Sequence, residues 1–280
     1  MPKTPFPARI HVVFASTKPH AVVFRRGPSK KVCTFGWDRS KDTFTLGQWL
    51  KGRIYERRAD LSPSGRYLIY FAMNGKWDSE TRGSWTAVSR APWLKALELY
   101  GKGDCWEGGG LFLSDREFWL NDRYFNPALI LKTSSEVKRN EKYKPEQQFG
   151  AECTGVYYVR LLRDGWQLIN RENVGSWHST TTFERKLSKN WVLRKIAHEQ
   201  VGAPPGKGCY WDEHELVNYK SDECRKHKHW EWAEKDGNSL VWAEKGCLYR
   251  AKMDRLSELG ATKLLYDFNQ HTFEEIEAPY

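Results

Sequence analysis

A dense run of polar and charged residues is the sequence GRIYERRAD at positions 52–60. In a β-strand, side chains alternate between the two faces, so Arg53, Tyr55 and Arg57 would share one face and Glu56 would point to the other. Arginine binds carboxylates and phosphates through charge-assisted hydrogen bonds. We therefore predict that Arg53, Tyr55, Glu56 and Arg57 form a site for an anion or a carboxylate-bearing ligand. Salt bridges that serve only the fold are the alternative.

A second candidate is the glycine-rich sequence GDCWEGGG at positions 103–110. Three consecutive glycines permit backbone conformations that other residues resist, and they let another group approach closely. Trp106 could stack on a base, a sugar or a side chain, with Glu107 beside it at the mouth of the loop. The sequence lacks the Lys-Ser/Thr ending of a phosphate-binding P-loop, which argues against that type of nucleotide site. We predict a ligand-binding rim, with a structural turn as the alternative.

Between positions 220 and 232, basic residues are interleaved with tryptophans, a combination typical of a nucleic-acid surface. Single-strand binding grooves combine cations for phosphates with aromatic rings for bases. A second basic cluster is formed by the Arg pair at 25–26 and the Lys pair at 30–31. The nucleic-acid alternative would use these residues: Arg25, Arg26, Lys226, Lys228, Trp230 and Trp232.

Metal and catalytic motifs are weak in this sequence. Residues of the types that zinc prefers occur in one window, namely Cys209, His214, Cys224, His227 and His229, but there is no Cys-x-x-Cys pair and basic residues lie between them. We predict no metal and no cofactor.

His178 is followed by hydroxyl residues, yet neither a G-x-S-x-G nor an H-E-x-x-H motif is present, and we assign no catalytic residue. A glycosidase-like enzyme remains an alternative, because such enzymes need two facing carboxylates. The chain offers Glu56, Asp60, Glu107 and Asp115.

Short strands separated by turns recur along the whole chain. Alternating and aromatic segments bounded by Gly, Pro, Asn and Asp predict strands, among them 10–14, 21–25, 31–37, 53–59, 66–72, 84–89, 96–100, 110–113, 116–121, 156–162, 166–170, 180–187 and 190–198. The segment 127–150 is rich in charges and Gln, and we predict an exposed polar insertion there. About twenty strands in groups of four favour an all-β fold, a single β-propeller of about five blades over residues 1–280. Six blades or a pair of β-sandwiches are alternatives.

Two sequences resemble blade motifs of WD40-like and TolB-like β-propellers. These are SPSGRYLIYFA at positions 62–72 and DGNSLVWAEKGCLYRA at 236–251. In those families a Ser-Pro-Asp-Gly turn precedes an inner strand, and here Ser64 replaces the Asp. The longer sequence GRIYERRADLSPSGRYLIYFA resembles uncharacterised bacterial propeller proteins. The resemblance implies a fold and no catalytic residue. We expect the strand at 10–14 to close the propeller by pairing with strands of the last blade.

The composition of the chain bears on the class of its partners and on its cellular location. The chain has 45 Lys and Arg against 35 Asp and Glu, a formal net charge of +10, which permits attraction to acidic proteins or nucleic acid without locating a groove. It has no apolar run of the length that spans a membrane and no apolar signal core near Met1, and its six cysteines are scattered. We predict a cytoplasmic monomer that does not associate with membranes. We predict non-catalytic binding of a protein partner, with nucleic-acid binding as the alternative.

Overall fold

The computed structural model describes residues 6–27, 30–123, 126–253 and 262–280. The chain divides into two compact units. Unit 1 contains His11–Arg160 and His271–Tyr280, and unit 2 contains Pro7–Ile10 and Leu161–Gln270. The prediction of one domain stays a prediction.

Thirteen strands and one short 3-10 helix precede the α-helix in the described part of the chain. The first seven strands are β1 Arg9–Phe14, β2 His20–Arg26, β3 Lys31–Asp38, β4 Thr43–Lys51, β5 Arg53–Ile54, β6 Asp60–Leu61 and β7 Tyr67–Met73, with the 3-10 helix at Glu56–Arg58 between β5 and β6. The next six are β8 Ser84–Arg90, β9 Ala96–Gly101, β10 Gly110–Phe112, β11 Glu117–Leu120, β12 Leu129–Lys132 and β13 Lys138–Arg139.

These strands form three sheets. The first has the order β1-β2-β3-β4, and the second has the order β12-β9-β8-β7-β5, with β6 also paired to β7. The third has the order β10-β11-β13, in which β10 and β11 are antiparallel and β11 and β13 are parallel. Strands β12 and β13 lie within the segment predicted to be a polar insertion.

The remaining strands, all in unit 2, form two antiparallel sheets in sequence order. The five-stranded sheet contains β14 Gln167–Gly175, β15 His178–Lys186, β16 Trp191–Gln200, β17 Tyr210–Asn218 and β18 Glu223–Lys226. The four-stranded sheet contains β19 Trp230–Asp236, β20 Ser239–Glu244, β21 Cys247–Lys252 and β22 Lys263–Asp267. The predicted all-β class is therefore confirmed, although the described sheets do not establish a single propeller.

The turn that opens the sequence motif at positions 62–72 has the predicted form. Gly65 adopts a φ of +81°, which favours glycine, and its N–H bonds to the carbonyl oxygen of Ser62 at 2.8 Å. The Ser62 hydroxyl accepts a hydrogen bond from the Tyr67 N–H at 3.1 Å. Strand β7 follows and buries six consecutive residues, because sheet neighbours lie on both sides and the core covers its faces.

The strand predicted at 156–162 is wrong: these residues lie in helix α1, Cys153–Arg163. The aromatic and β-branched sequence VYYV suits a strand by composition, but a short apolar run does not distinguish a buried strand from a buried helix. On the helix, Val156 and Tyr157 lie four and three residues before Arg160, and all three are buried. Tyr158 and Leu161 are buried too, so the helix is covered on more than one face. No helix within the described ranges has the length and apolar character needed to cross a bilayer.

Two further predictions are also wrong. The strand predicted at 53–59 ends at Ile54, because the Arg58 N–H bonds to the Tyr55 carbonyl at 2.8 Å and the chain turns into the 3-10 helix. Strand β1 pairs with β2 at the edge of its sheet, and the described strands include no pairing of β1 with β19–β22, where the closing pair was expected.

Candidate anion-binding site

A basic cavity of about 420 Å³ lies in unit 1. We call it the basic cavity. Its cationic lining side chains are Arg26, Lys30, Lys31 and Arg53, and its other described lining residues are Gly27, Val32, Gly52, Met73, Asn74 and Gly75. No carboxylate is among these described residues. The cavity therefore combines one sign of charge with a partly apolar wall, which suits an anionic group.

The β2–β3 turn and β5 bring the cations together. Strands β2 and β3 are antiparallel, with Arg26 opposite Val32, and Gly27 and Lys30 have positive φ values of +96° and +57°. The Gly52 N–H donates to the Lys30 carbonyl at 2.8 Å, which joins this turn to the start of β5. A side chain at position 52 would meet the Met73 carbonyl oxygen at 2.7 Å, so only glycine allows this approach. The turn thereby places Arg53 beside the Lys pair.

Glu56 anchors the inner end of the basic cluster. It is buried, and its carboxylate oxygens lie 3.3 Å from Arg26 Nη1 and 3.4 Å from Arg57 Nη1. Burial alone would raise the pKa of Glu56, but the charges of Arg26 and Arg57 outweigh that effect and hold its pKa below the ordinary value. Glu56 is therefore an ionised partner that orients two arginines, and its burial makes it unsuited to direct contact with a ligand.

Tyr55 carries a second set of arginine contacts. The guanidinium carbon of Arg53 lies 4.4 Å from the centre of the Tyr55 ring, and that of Arg58 lies 5.0 Å from it. Burial raises the pKa of Tyr55, so its hydroxyl remains protonated near neutral pH. The stacked ring supports the exposed Arg53 side chain at the cavity.

Arg58 connects this cluster with the glycine-rich loop. Its Nη1 donates to the carbonyl oxygens of Cys105 at 2.7 Å and Glu107 at 2.8 Å, and its Nη2 lies 3.4 Å from Glu152. Trp106, between the two carbonyls, leaves 51% of its surface exposed, as a ligand rim would require. Arg58 was not predicted as a site residue, because a buried arginine holding carbonyls has no distinctive sequence pattern.

Glu107 is not at the mouth of the loop. Its side chain is fully buried, with one oxygen 2.9 Å from Lys102 Nζ and the other accepting the Arg123 N–H at 2.7 Å. Lys102 also pairs with Asp122 at 2.8 Å. The prediction of Glu107 as a rim residue is corrected: it belongs to a buried ion-pair network that fixes the loop.

The residues of the nucleic-acid alternative are divided between the units. Arg25 and Arg26 belong to unit 1, whereas Lys226, Lys228, Trp230 and Trp232 belong to unit 2. Arg25 is buried, with its guanidinium carbon 5.3 Å from the centre of the Trp49 ring. Trp230 and Trp232 are only 5% and 4% exposed, so their rings offer no open face for base stacking. Lys226 and Lys228 are exposed.

The four carboxylates considered for glycoside hydrolysis have separate partners. Glu56 and Glu107 are held as described above, Asp60 accepts the Phe112 N–H at 2.7 Å, and Asp115 accepts the Ser64 N–H at 2.7 Å. Each is therefore explained by a structural contact.

The histidine and cysteine candidates lie in unit 2. His178 Nε2 contacts His198 Nδ1 at 3.1 Å, and His198 stacks on Trp211 with ring centres 4.5 Å apart. The described residues contain no group of three or more His, Cys, Asp or Glu able to hold a metal ion.

The basic cavity joins two features that the sequence presents separately. Arg53 was predicted in the polar run, and Arg26 and the Lys pair in a distant basic cluster. The lining residues Met73, Asn74 and Gly75 were missed. Met73 ends β7 and the other two follow it, and they gain their position only through the pairing of β7 with β5, in which Arg53 lies opposite Met73.

Comparisons with known proteins assign no family. No family model and no curated protein matches the chain. Among solved structures, the chain is similar to a variant of the AtxE2 isopeptidase with astexin3-dC4 bound, at a TM-score of 0.38 and 11% identity over 95% of this chain and 53% of that chain. The apo isopeptidase gives a TM-score of 0.32 and 11% identity over 93% and 53%. The tricorn protease gives 0.23 and 8% identity over 94% and 22%.

The chain spans about half the length of the isopeptidase and less than a quarter of the tricorn protease. TM-scores below 0.5 carry no argument about fold or activity. The resemblance to WD40-like and TolB-like propellers is untested by these comparisons and stays a prediction.

Proposed function

We propose that this protein is a non-catalytic β-propeller that binds an acidic segment of a protein partner through the basic cavity. One observation carries the proposal: four cationic side chains line a cavity in which the described lining residues include no carboxylate. A cytoplasmic location belongs to the same proposal.

The order of the strands supports the propeller part of the proposal. The described strands form five sheets, and three of them, β1–β4, β14–β18 and β19–β22, are meanders of four or five strands in sequence order. Repeated four-stranded meanders are the units from which propeller blades are built.

The exposure and ion pairing of the basic side chains in the cavity support the proposed binding of an acidic segment. Lys30, Lys31 and Arg53 are exposed, and no ion pair joins any of them to another residue within the described ranges. Arg26 is held by Glu56, so at least one guanidinium is already oriented before a ligand arrives. A pre-oriented cation loses less side-chain entropy on binding, and charge-assisted hydrogen bonds to a carboxylate are stronger than neutral ones.

The test measures the affinity of the full chain for a fluorescein-labelled Glu-rich peptide by anisotropy. We expect the double variant Lys30→Gln and Lys31→Gln to weaken binding by at least about tenfold, because two charged contacts are lost. A matched control, Lys41→Gln with Lys138→Gln, removes the same charge from exposed positions of unit 1 outside the cavity. The control should bind nearly as well as the unchanged protein.

Two results would count against the proposal. Equal weakening by both double variants would mean that net charge, not the cavity, attracts the peptide. Tighter binding of a labelled single-stranded oligonucleotide than of the peptide, again lost with Lys30 and Lys31, would favour the nucleic-acid alternative.

A further inference from the structure

The segment His271–Tyr280 belongs to unit 1 and has neither helix nor strand. We call it the acidic strap. Its sequence, HTFEEIEAPY, contains three glutamates and no lysine or arginine. It therefore has the chemistry that the basic cavity is proposed to bind, an acidic peptide, and it lies on the same unit.

Phe273 anchors the strap to strands β3 and β4 of the first sheet. Its ring centre is 5.9 Å from that of Trp49, and the ammonium groups of Lys51 and Lys31 lie 4.6 Å and 5.5 Å from it. A cation over an aromatic face is attracted to the ring. The anchor thus uses two lysines, and one of them, Lys31, also lines the basic cavity.

Hydrogen bonds hold the rest of the strap. Gln48 Nε2 donates to the Ile276 carbonyl at 2.8 Å, while Gln48 Oε1 accepts the Leu94 N–H at 2.7 Å. The Tyr280 hydroxyl donates to the Lys95 carbonyl at 2.6 Å and accepts the Arg90 N–H at 3.0 Å. His271 also packs edge-on against the buried Phe35 ring at 4.7 Å between centres, but every residue of the strap stays at least partly exposed and none is paired in a sheet. Detaching the strap should therefore cost less than unfolding the sheet.

The charge of Glu274 in the strap affects Cys33 on strand β3. Burial raises the pKa of Cys33 to about 12, the neighbouring Arg25 opposes this rise, and Glu274 adds to it. Cys33 lies opposite Arg25 in the antiparallel pairing of β2 and β3, and Arg25 directly precedes Arg26. Glu274 therefore acts on the β2–β3 pair that also carries Arg26, a residue lining the basic cavity.

We propose that the acidic strap is a built-in competitor of the acidic partner: it draws Lys31 to Phe273, and the partner must displace it to use the basic cavity fully. This inference rests on the proposed function. By linkage, strap docking and partner binding weaken each other by the same factor.

The experiment repeats the anisotropy measurement on full-length variants of the strap with the same Glu-rich peptide. Phe273→Ala removes the anchor, and the triple variant Glu274→Gln, Glu275→Gln and Glu277→Gln removes the charge but keeps the anchor. We expect each to raise the affinity by about fivefold or more, the low end for coupled sites. Two controls match these changes. Phe6→Ala removes an exposed aromatic ring elsewhere, and the triple variant Glu80→Gln, Glu141→Gln and Glu146→Gln removes the same charge from exposed positions of unit 1 outside the strap; both should leave the affinity nearly unchanged.

Hydrogen exchange gives a second readout on the unchanged protein. Amides of residues 271–280 should exchange faster when the Glu-rich peptide is added, and a synthetic peptide of this sequence should compete with the probe on the Phe273→Ala variant.

The outcomes separate the two proposals. Equal affinity of the unchanged protein and both strap variants, with binding still dependent on Lys30 and Lys31, would overturn the strap inference alone. Absence of binding to every variant would overturn the proposed function as well.

Discussion

Glu56 shows how a single buried carboxylate can organise a cationic surface. An ion in a protein interior is costly unless its partners are close and well oriented. Here the guanidiniums of Arg26 and Arg57 supply that compensation at 3.3 Å and 3.4 Å. The result is an arginine at the cavity whose position is set by a residue that a ligand does not touch.

We expect Glu56→Gln to lower the free energy of unfolding by about 1–3 kcal/mol at pH 7, because two arginines lose a charged partner. The folded pKa of Glu56 is lower than its ordinary value of 4.5, so the ionised form stabilises the fold above that pH. As the pH falls from 4.5 through the folded pKa, this stabilisation is lost and the variant should approach the unchanged protein.

Urea denaturation at several pH values measures this difference. Glu80→Gln, at an exposed turn position, is the control and should change little at any pH. A stability difference for Glu56→Gln that stays constant between pH 3 and 7 would contradict the depressed pKa.

His227 is a second residue whose surroundings set its charge. Its ring stacks on Trp230 with centres 3.7 Å apart. Burial, with a smaller effect of the Arg225 charge, lowers the pKa of His227 to about 4 from the ordinary 6.5. The unfolded chain therefore takes up a proton between these pH values that the folded protein does not.

The consequence is that stability should fall as the pH is lowered from 6.5 to about 4, since protons favour the unfolded chain in that window. We expect His227→Phe to remove this part of the pH dependence while keeping a stacked ring. His229→Phe, at an exposed position two residues away, should retain it. Thermal unfolding at several pH values measures the stability of both variants. Identical pH profiles would refute the assignment of this pH dependence to His227.

At the scale of elements, the last sheet is crossed by a column of stacked rings. Trp230 on β19 stacks on Trp242 of β20 at 4.9 Å between centres, and Trp242 stacks on Tyr249 of β21 at 5.7 Å. Register places Trp242 directly opposite Tyr249. Cross-strand aromatic pairs stabilise sheets beyond the area they bury.

Trp242→Ala should therefore lower the free energy of unfolding by about 3–5 kcal/mol, because a large buried ring and two stacking contacts are lost together. Trp177→Ala is the matched control, since Trp177 is 81% exposed and its loss should cost less than about 0.5 kcal/mol. Denaturant unfolding gives the energies, and near-ultraviolet circular dichroism reports the coupled rings. Similar losses in both variants would show that the column contributes little.

The whole molecule carries a net charge of +10, but its cations are not equivalent. Several are neutralised by close carboxylates, as Lys102 is by Glu107 and Arg194 is by Glu184. Lys30, Lys31 and Arg53 form no such pair within the described ranges. Net charge supports attraction to any polyanion, whereas a lined cavity selects where the anion binds. This difference is why the proposed test compares variants of equal charge.

The sequence by itself determined the all-β class, most strand positions and the turn before β7. These features are local: alternation of side chains, β-branched and aromatic residues, and glycine at positive φ act within a few residues. The types of residue in the candidate site were also visible in the sequence, as the Arg pair at 25–26, the Lys pair at 30–31 and the charged run at 52–60.

Only the tertiary structure decided what those residues do. A 3-10 turn after Ile54 ended the predicted strand and buried Glu56 between two arginines, and helix α1 formed where the sequence VYYV suited a strand. Pairing of β5 with β7 brought Arg53 and Met73 into one wall, and burial took Glu107 away from the loop mouth. Which charges are buried, and which converge, depends on contacts between residues far apart in the chain, and such contacts leave no pattern in the local sequence.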